Sequence, residues 1–163
     1  MTHAELVAAA VRWLRGTKRC SVVFSEWAPL TVSEIPDALG FDRSGHSILV
    51  ECKVSRSDFR ADRHKVSSRY AARDAGRMGV RRWYLTPPGL VEPSEVPSGW
   101  GLAFVHAGRI RPSRAQVRVV VEPKISVSRN VRAELSMLAA AVWRHENGVT
   151  WHPDSARFEP VTR

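Results

Sequence analysis

Ile35-Pro36-Asp37-Ala38-Leu39-Gly40-Phe41 and then Ile48-Leu49-Val50-Glu51-Cys52-Lys53-Val54 are the runs from which the fold is read. Ser44-Gly45 between them is a turn signal, so 34–42 and 47–54 read as consecutive strands. Successive side chains on a strand leave opposite faces. Glu51 and Lys53 therefore share one face, while Ile48, Val50, Cys52 and Val54 share the other, the expected core side. In the same alternation Asp37 falls with Ile35, Leu39 and Phe41. A carboxylate there is poorly hydrated, and burying it unpaired is costly. A bound cation would relieve that cost. The bland alternatives are a turn begun by Pro36 that carries Asp37, and an exposed Glu51–Lys53 pair on a solvated strand face.

Working outward, 4–15 reads as a helix with an apolar arc of Leu6, Val7, Ala10, Val11, Trp13 and Leu14, ended by Gly16. Cys20 to Trp27 reads as a first strand ahead of the two just described. A polar, Arg-rich helix is expected over 57–75, its thin apolar side being Phe59, Val66 and Tyr70. Val80 to Thr86 reads as a fourth strand, and the Pro/Ser/Gly-rich stretch 87–99 as a loop. Strands are expected again at 100–106, as the start of a hairpin, and at 116–121. A last helix over 129–146, capped by Ser128 and stopped near Gly148, carries Val131, Leu135, Leu138 and Val142 as its expected core stripe. The order predicts an α/β sheet with helices on its faces.

A chain of 163 residues, 44% of them hydrophobic, is enough for one domain with an ordinary core. The expected division is a domain over 1–148 and an irregular tail over 149–163. No apolar run approaches a membrane span, and Met1-Thr2-His3-Ala4-Glu5 does not open like a signal peptide. Cys20 and Cys52 lie in strand-like segments and read as reduced core residues of a cytosolic protein. The net charge of +9 is unevenly spread. Residues 54–82 hold nine basic side chains against three acidic, and 109–132 hold seven against Glu122 alone. Two basic blocks around a neutral, carboxylate-bearing half suit a polyanion held by its phosphates. Nucleic acid is the expected partner, with no membrane.

The chemistry gathers at the two strands. Mg²⁺ takes oxygen ligands, usually one or two carboxylates, and completes its shell with water and phosphate oxygens. Asp37, Glu51 and the Cys52 backbone carbonyl would supply such a partial shell, with Mn²⁺ able to substitute. Lys53 would orient an attacking water or neutralise charge developing on a phosphate. Ser55, Arg56, Arg60, Arg63, Lys65 and Arg69 are the candidate phosphate contacts. Trp83, Tyr84 and Trp100 are candidate platforms for base stacking, although aromatics in strands more often belong to a core.

Pro36-Asp37 followed by Glu51-Cys52-Lys53 resembles the motif of the PD-(D/E)XK nuclease superfamily over residues 4–106. The resemblance implies a restriction-endonuclease-like core, a mixed central sheet flanked by helices in the order αβββαβ, here with an extra C-terminal strand and helix. It also implies a Mg²⁺-dependent hydrolase of phosphodiester bonds, mostly of DNA, with a homodimer through the helix at 129–146 as a candidate. It brings an acidic residue of the first helix into the site as a third catalytic carboxylate, here Glu5, whose other reading is an exposed helix-start residue, with Glu26 and Glu34 as spares. Ser55-Arg56-Ser57-Asp58-Phe59-Arg60-Ala61-Asp62 with Lys65 and Tyr70, and Pro97-Ser98-Gly99-Trp100-Gly101-Leu102, look like the MmcB-like branch of bacterial DNA-repair proteins. A bacterial or phage protein of DNA repair or mobile-element DNA metabolism is the corresponding expectation. The rival readings are an inactive nucleic-acid-binding module and a protein-binding regulator on the same fold.

Overall fold

The computed structural model describes residues 1–27, 35–68, 77–106, 115–126, 129–152 and 157–159, with 63–68, 150–152 and 157–159 described by backbone alone. Its elements are α1 (His3–Gly16), β1 (Val22–Ser25), β2 (Ala38–Phe41), β3 (Ser47–Cys52), α2 (Arg56–Ser68), β4 (Arg81–Thr86), β5 (Gly101–His106), β6 (Gln116–Val121), α3 (Val131–Glu146), β7 (Thr150–His152) and β8 (Arg157–Glu159). The first six strands form one mixed sheet in sequence order. β1, β2 and β3 pair antiparallel, β3, β4 and β5 pair parallel, and β6 closes the other edge antiparallel to β5. The parallel β3–β4 pair requires a crossover, and α2 lies in it.

The sheet is buried on both faces, which explains why β3 reads as a nearly continuous apolar run. Even-numbered positions of β3 (Ile48, Val50, Cys52) join Trp83, Leu85 and Ala103 under Leu6, Ala10, Trp13 and Leu14 of α1. Odd-numbered Leu49 joins Leu39, Tyr84 and Leu102 under Phe59 of α2 and Ala133 and Met137 of α3. Glu51 therefore points into the second packed layer rather than into solvent. Val54, expected on the core side, lies beyond the strand and is exposed.

α1 starts with a capping box in which Thr2 and Glu5 exchange hydrogen bonds. α3 is capped by Asn130, whose Oδ1 accepts from the Ala133 amide at 2.9 Å, and not by Ser128, which lies outside the described residues. Asn147 closes α3, and Gly148 follows in the left-handed region at φ 77°. Residues expected to form an irregular tail instead include an antiparallel pair, β7 with β8.

α3 also departs from expectation in orientation. A buried carboxylate, Glu134, pins it: Oε1 accepts from Ser47 Oγ at 2.6 Å and from the Gly79 amide at 2.8 Å, and Oε2 lies 3.3 Å from Arg129. Gly79 permits this approach, because its φ is +89° and a Cβ there would meet Leu49 at 2.7 Å. With Glu134 held inward, Ala133 and Met137 contact the sheet, and of the stripe expected to be core Leu138 packs against it while Val131, Leu135 and Val142 are exposed. Glu134→Ala would strand the Gly79 amide and leave Arg129 without its carboxylate. We expect a loss of about 2–3 kcal/mol in urea unfolding at unchanged m-value; a loss within ~0.5 kcal/mol would show that the network does not hold α3.

Candidate active site

The site begins where the β2–β3 ladder stops. The register Ala38↔Val50, continued by two residues, would set Pro36 opposite Cys52. Proline has no N–H to offer the Cys52 carbonyl. The ladder ends, and the Asp37 side chain takes over: its Oδ2 accepts from the Cys52 amide at 2.6 Å. Asp37 lies one residue ahead of β2 rather than within it, as the turn reading had it, and is still largely shielded from water. Pro36 thus does two things in this arrangement: it releases the Cys52 carbonyl and delivers a carboxylate beside it.

On the far side of β3 the Lys53 amide donates to the Leu85 carbonyl at 3.0 Å, extending the parallel ladder. The Lys53 side chain leaves on the face of Glu51, as two-residue spacing requires, and its Nζ lies 3.1 Å from Glu51 Oε2. Neither is solvated: Glu51 is 8% exposed and Lys53 7%. α2 then closes over the pair. Asp58 and Asp62, one turn apart on one helix face, bring Oδ1 atoms to 4.0 and 3.9 Å from Lys53 Nζ. The Tyr84 hydroxyl donates to Asp62 Oδ2 at 2.7 Å. Tyr84 is itself held edge-on by Phe59 and stacked on Trp100, with centroids 5.1 and 4.5 Å away.

This crowding sets the proton affinities. Burial pushes the Glu51 carboxyl up to about 8; Lys53 pulls it down, while Asp37 and Asp62 add to the rise. Asp37 is raised mainly by burial, against the Cys52 amide, Lys53 and His3, which lower it. For Lys53 burial opposes the charge, but Glu51, Asp62, Asp58 and Asp37 outweigh it and raise its pKa. Burial and the adjoining Asp62 also raise the Tyr84 phenol. Fully ionised, these four carboxylates surround one ammonium, so the cluster is short of positive charge.

A divalent cation fits that deficit. Among the described residues no group of three or more His, Cys, Asp or Glu side chains is arranged to hold a metal ion. The donor set is instead the sparse oxygen set on which Mg²⁺ relies, one or two carboxylates with the remaining ligands from water and substrate. Asp37, Glu51 and the Cys52 carbonyl would hold it.

Other expected site residues lie elsewhere. Glu5 is exposed and accepts from the Thr2 amide at 2.7 Å, a helix-capping role that takes it out of the site. The α1 residue that reaches the site is His3, with Nε2 3.3 Å from Asp37 Oδ1 and 3.8 Å from Glu26 Oε1. Glu34 lies outside the described residues. Ser55 is occupied at the start of α2, its Oγ accepting from the Asp58 amide at 3.2 Å. Arg56 is tied to the Leu90 carbonyl and Glu95. Arg60 is exposed, the side chains of Arg63 and Lys65 are not described, and Arg69 lies outside the described residues. Arg77 and Arg82, counted in the basic block, are buried, and Arg82 donates to the Met78 carbonyl. Trp83, Tyr84 and Trp100 are core residues and offer no face for bases. His3, Asp58 and Asp62 were not expected in the site, and Tyr84 was expected as a stacking platform rather than as a partner of Asp62. Only the Asp58–Asp62 spacing, directly after Lys53, carried a signal.

No family model matches the chain, and no curated protein does. Among solved structures it is similar to the SPO1766 protein of unknown function from Silicibacter pomeroyi, with 19% identity, a TM-score of 0.62 and 91% of each chain covered. At that identity the likeness concerns the fold alone. The α/β architecture, a six-stranded mixed sheet flanked by helices, is therefore shared with a solved protein. Among the described residues no helix is long and apolar enough to cross a membrane.

The raised Glu51 carboxyl has a signed consequence for stability. Its folded pKa lies above the unfolded value, so the fold binds the extra proton between about pH 4.5 and 8. Stability is then lost as pH rises through that window. We expect melting temperature, in the absence of divalent ions, to fall from pH 5 to pH 8.5 more steeply for wild type than for Glu51→Gln. The corresponding gap in unfolding free energy should reach on the order of a few kcal/mol. Parallel profiles would show that Glu51 is no harder to ionise in the fold than in the unfolded chain.

Proposed function

We propose that this chain is a Mg²⁺-dependent nuclease of the PD-(D/E)XK superfamily, with a restriction-endonuclease-like core, that hydrolyses phosphodiester bonds of DNA. The observation that carries the reading is the cluster itself. Asp37 and Glu51 come from adjoining strand ends, and Lys53 is buried beside them in an excess of carboxylate. The order α1-β1-β2-β3-α2-β4 supports the same fold. A service in DNA repair or in phage and mobile-element DNA metabolism follows from the sequence resemblance.

The roles follow from the chemistry of each group. Asp37, Glu51 and the Cys52 carbonyl hold the cation. When bound, Mg²⁺ would act as a Lewis acid and make an attacking water more acidic. Lys53, fixed by Glu51 and by the aspartates of α2, offers a permanent positive charge to phosphate oxygens as they become more negative. Tyr84 keeps Asp62 in place, which steadies Lys53. The exposed Arg60 and the net charge of +9 favour a polyanionic substrate.

Cleavage of supercoiled, linear and single-stranded DNA with Mg²⁺, Mn²⁺ or EDTA tests the reading. Wild type should cut with either metal and not with EDTA. Lys53→Ala and Asp37→Asn should each lose at least about 100-fold in rate. Cutting that survives EDTA or the loss of Lys53 would contradict the assignment. Salt-sensitive DNA binding without cutting would favour an inactive binding module.

A further inference from the structure

α3 carries Val131, Leu135, Leu138 and Val142 at spacings of four, three and four, the seam by which one helix packs along another. Of the seam, Leu138 packs against the core and the other three residues turn away from it. Val131 is 43% exposed, Leu135 59% and Val142 56%, because Glu134, Ala133 and Met137 take the inward side. Beside it lies a groove of about 330 Å³, lined by Val22, Phe41 and the seam residues Val131, Leu135 and Leu138. Its rim carries Asp42, Arg43 and Arg129, charges of both signs. Isolated apolar side chains on a surface are ordinary, but a contiguous row in register with a groove marks a contact.

We propose that this face is a homodimer contact in which α3 packs antiparallel on α3 of a second copy. The occupant is argued from two features. The heptad-like spacing asks for a helix of matching length, and α3 spans 16 residues, about 24 Å. Arg132 and Glu146 lie fourteen residues apart on the same flank of the seam, at opposite ends of the helix. Two-fold antiparallel packing carries Arg132 of one copy toward Glu146 of the second copy, and does so twice, as an isologous interface requires. Parallel two-fold packing would leave Arg132 and Glu146 at opposite ends and on opposite sides of the contact, pairing neither with the other. One helix face and the adjoining groove make a modest contact beside the roughly 1,200–2,000 Å² of stable interfaces. The dimer therefore exchanges with monomer as concentration changes. The inference does not depend on the hydrolytic reading of the Asp37–Lys53 cluster.

Sedimentation velocity of the full chain from low to several hundred micromolar tests it. Wild type should shift from monomer to dimer. Leu135→Glu, at a position exposed in the monomer, should stay monomeric while its circular dichroism and melting temperature match wild type. Arg132→Glu should weaken the dimer roughly five- to tenfold, because it faces Glu146 with a like charge at two symmetric places. Adding Glu146→Arg should restore it. A wild type monomeric throughout, or a dimer indifferent to Leu135→Glu, overturns the contact. Failure of the double swap to restore what Arg132→Glu loses overturns the antiparallel arrangement.

Discussion

Glu51 and Lys53 are removed from water at the end of a strand packed on both faces, and the surrounding structure answers that cost. A carboxylate and an ammonium at 3.1 Å offset one another in part. The remainder is unbalanced, since Asp37, Asp58 and Asp62 add negative charge around the same lysine. Structural economy alone would favour an apolar pair at this point of the core. A cluster that keeps excess carboxylate buried would be relieved by a cation. Pro36 interrupts the ladder, Asp37 turns in, and the Cys52 carbonyl receives no proline amide.

The two ends of β3 divide the labour. At its start, Ser47 bonds to Glu134 and anchors α3, with Gly79 and Arg129 satisfying the rest of that carboxylate. At its end, Glu51 is met, among the described residues, by a lysine that is itself shared. One buried acid is closed by hydrogen bonds and serves the fold. The other is left hard to ionise, which is how a functional carboxylate is commonly distinguished from a structural one.

Much of this was legible in the residues. The alternation over 47–54, the helix at 4–15 and the strands near 80–86 and 116–121 follow from periodicity and turn signals, and the structure differs mainly in trimming strand ends. The Asp37, Glu51 and Lys53 juxtaposition was legible because i,i+2 spacing and a strand–turn–strand path constrain it locally. What escaped was set by distant contacts. Glu5 reads as a site residue until Thr2 is seen to claim it, and His3 reads as an ordinary terminal residue until α1 docks it beside Asp37. Arg56 reads as free until Glu95, from the loop after β4, pairs with it. The stripe of α3 reads as core because spacing shows that a face is apolar, not which neighbour covers it. One buried Glu134 decides the rotation.

On the proposed reading, Glu51 is held protonated near neutral pH and gives up its proton to a divalent cation. Isothermal titration of Mn²⁺ into the full chain near pH 7, repeated in buffers of different ionisation enthalpy, measures both parts of that claim together. The account predicts one ion per chain with release of close to one proton, both lost in Glu51→Gln. Binding without proton release, or no binding by wild type, would contradict it.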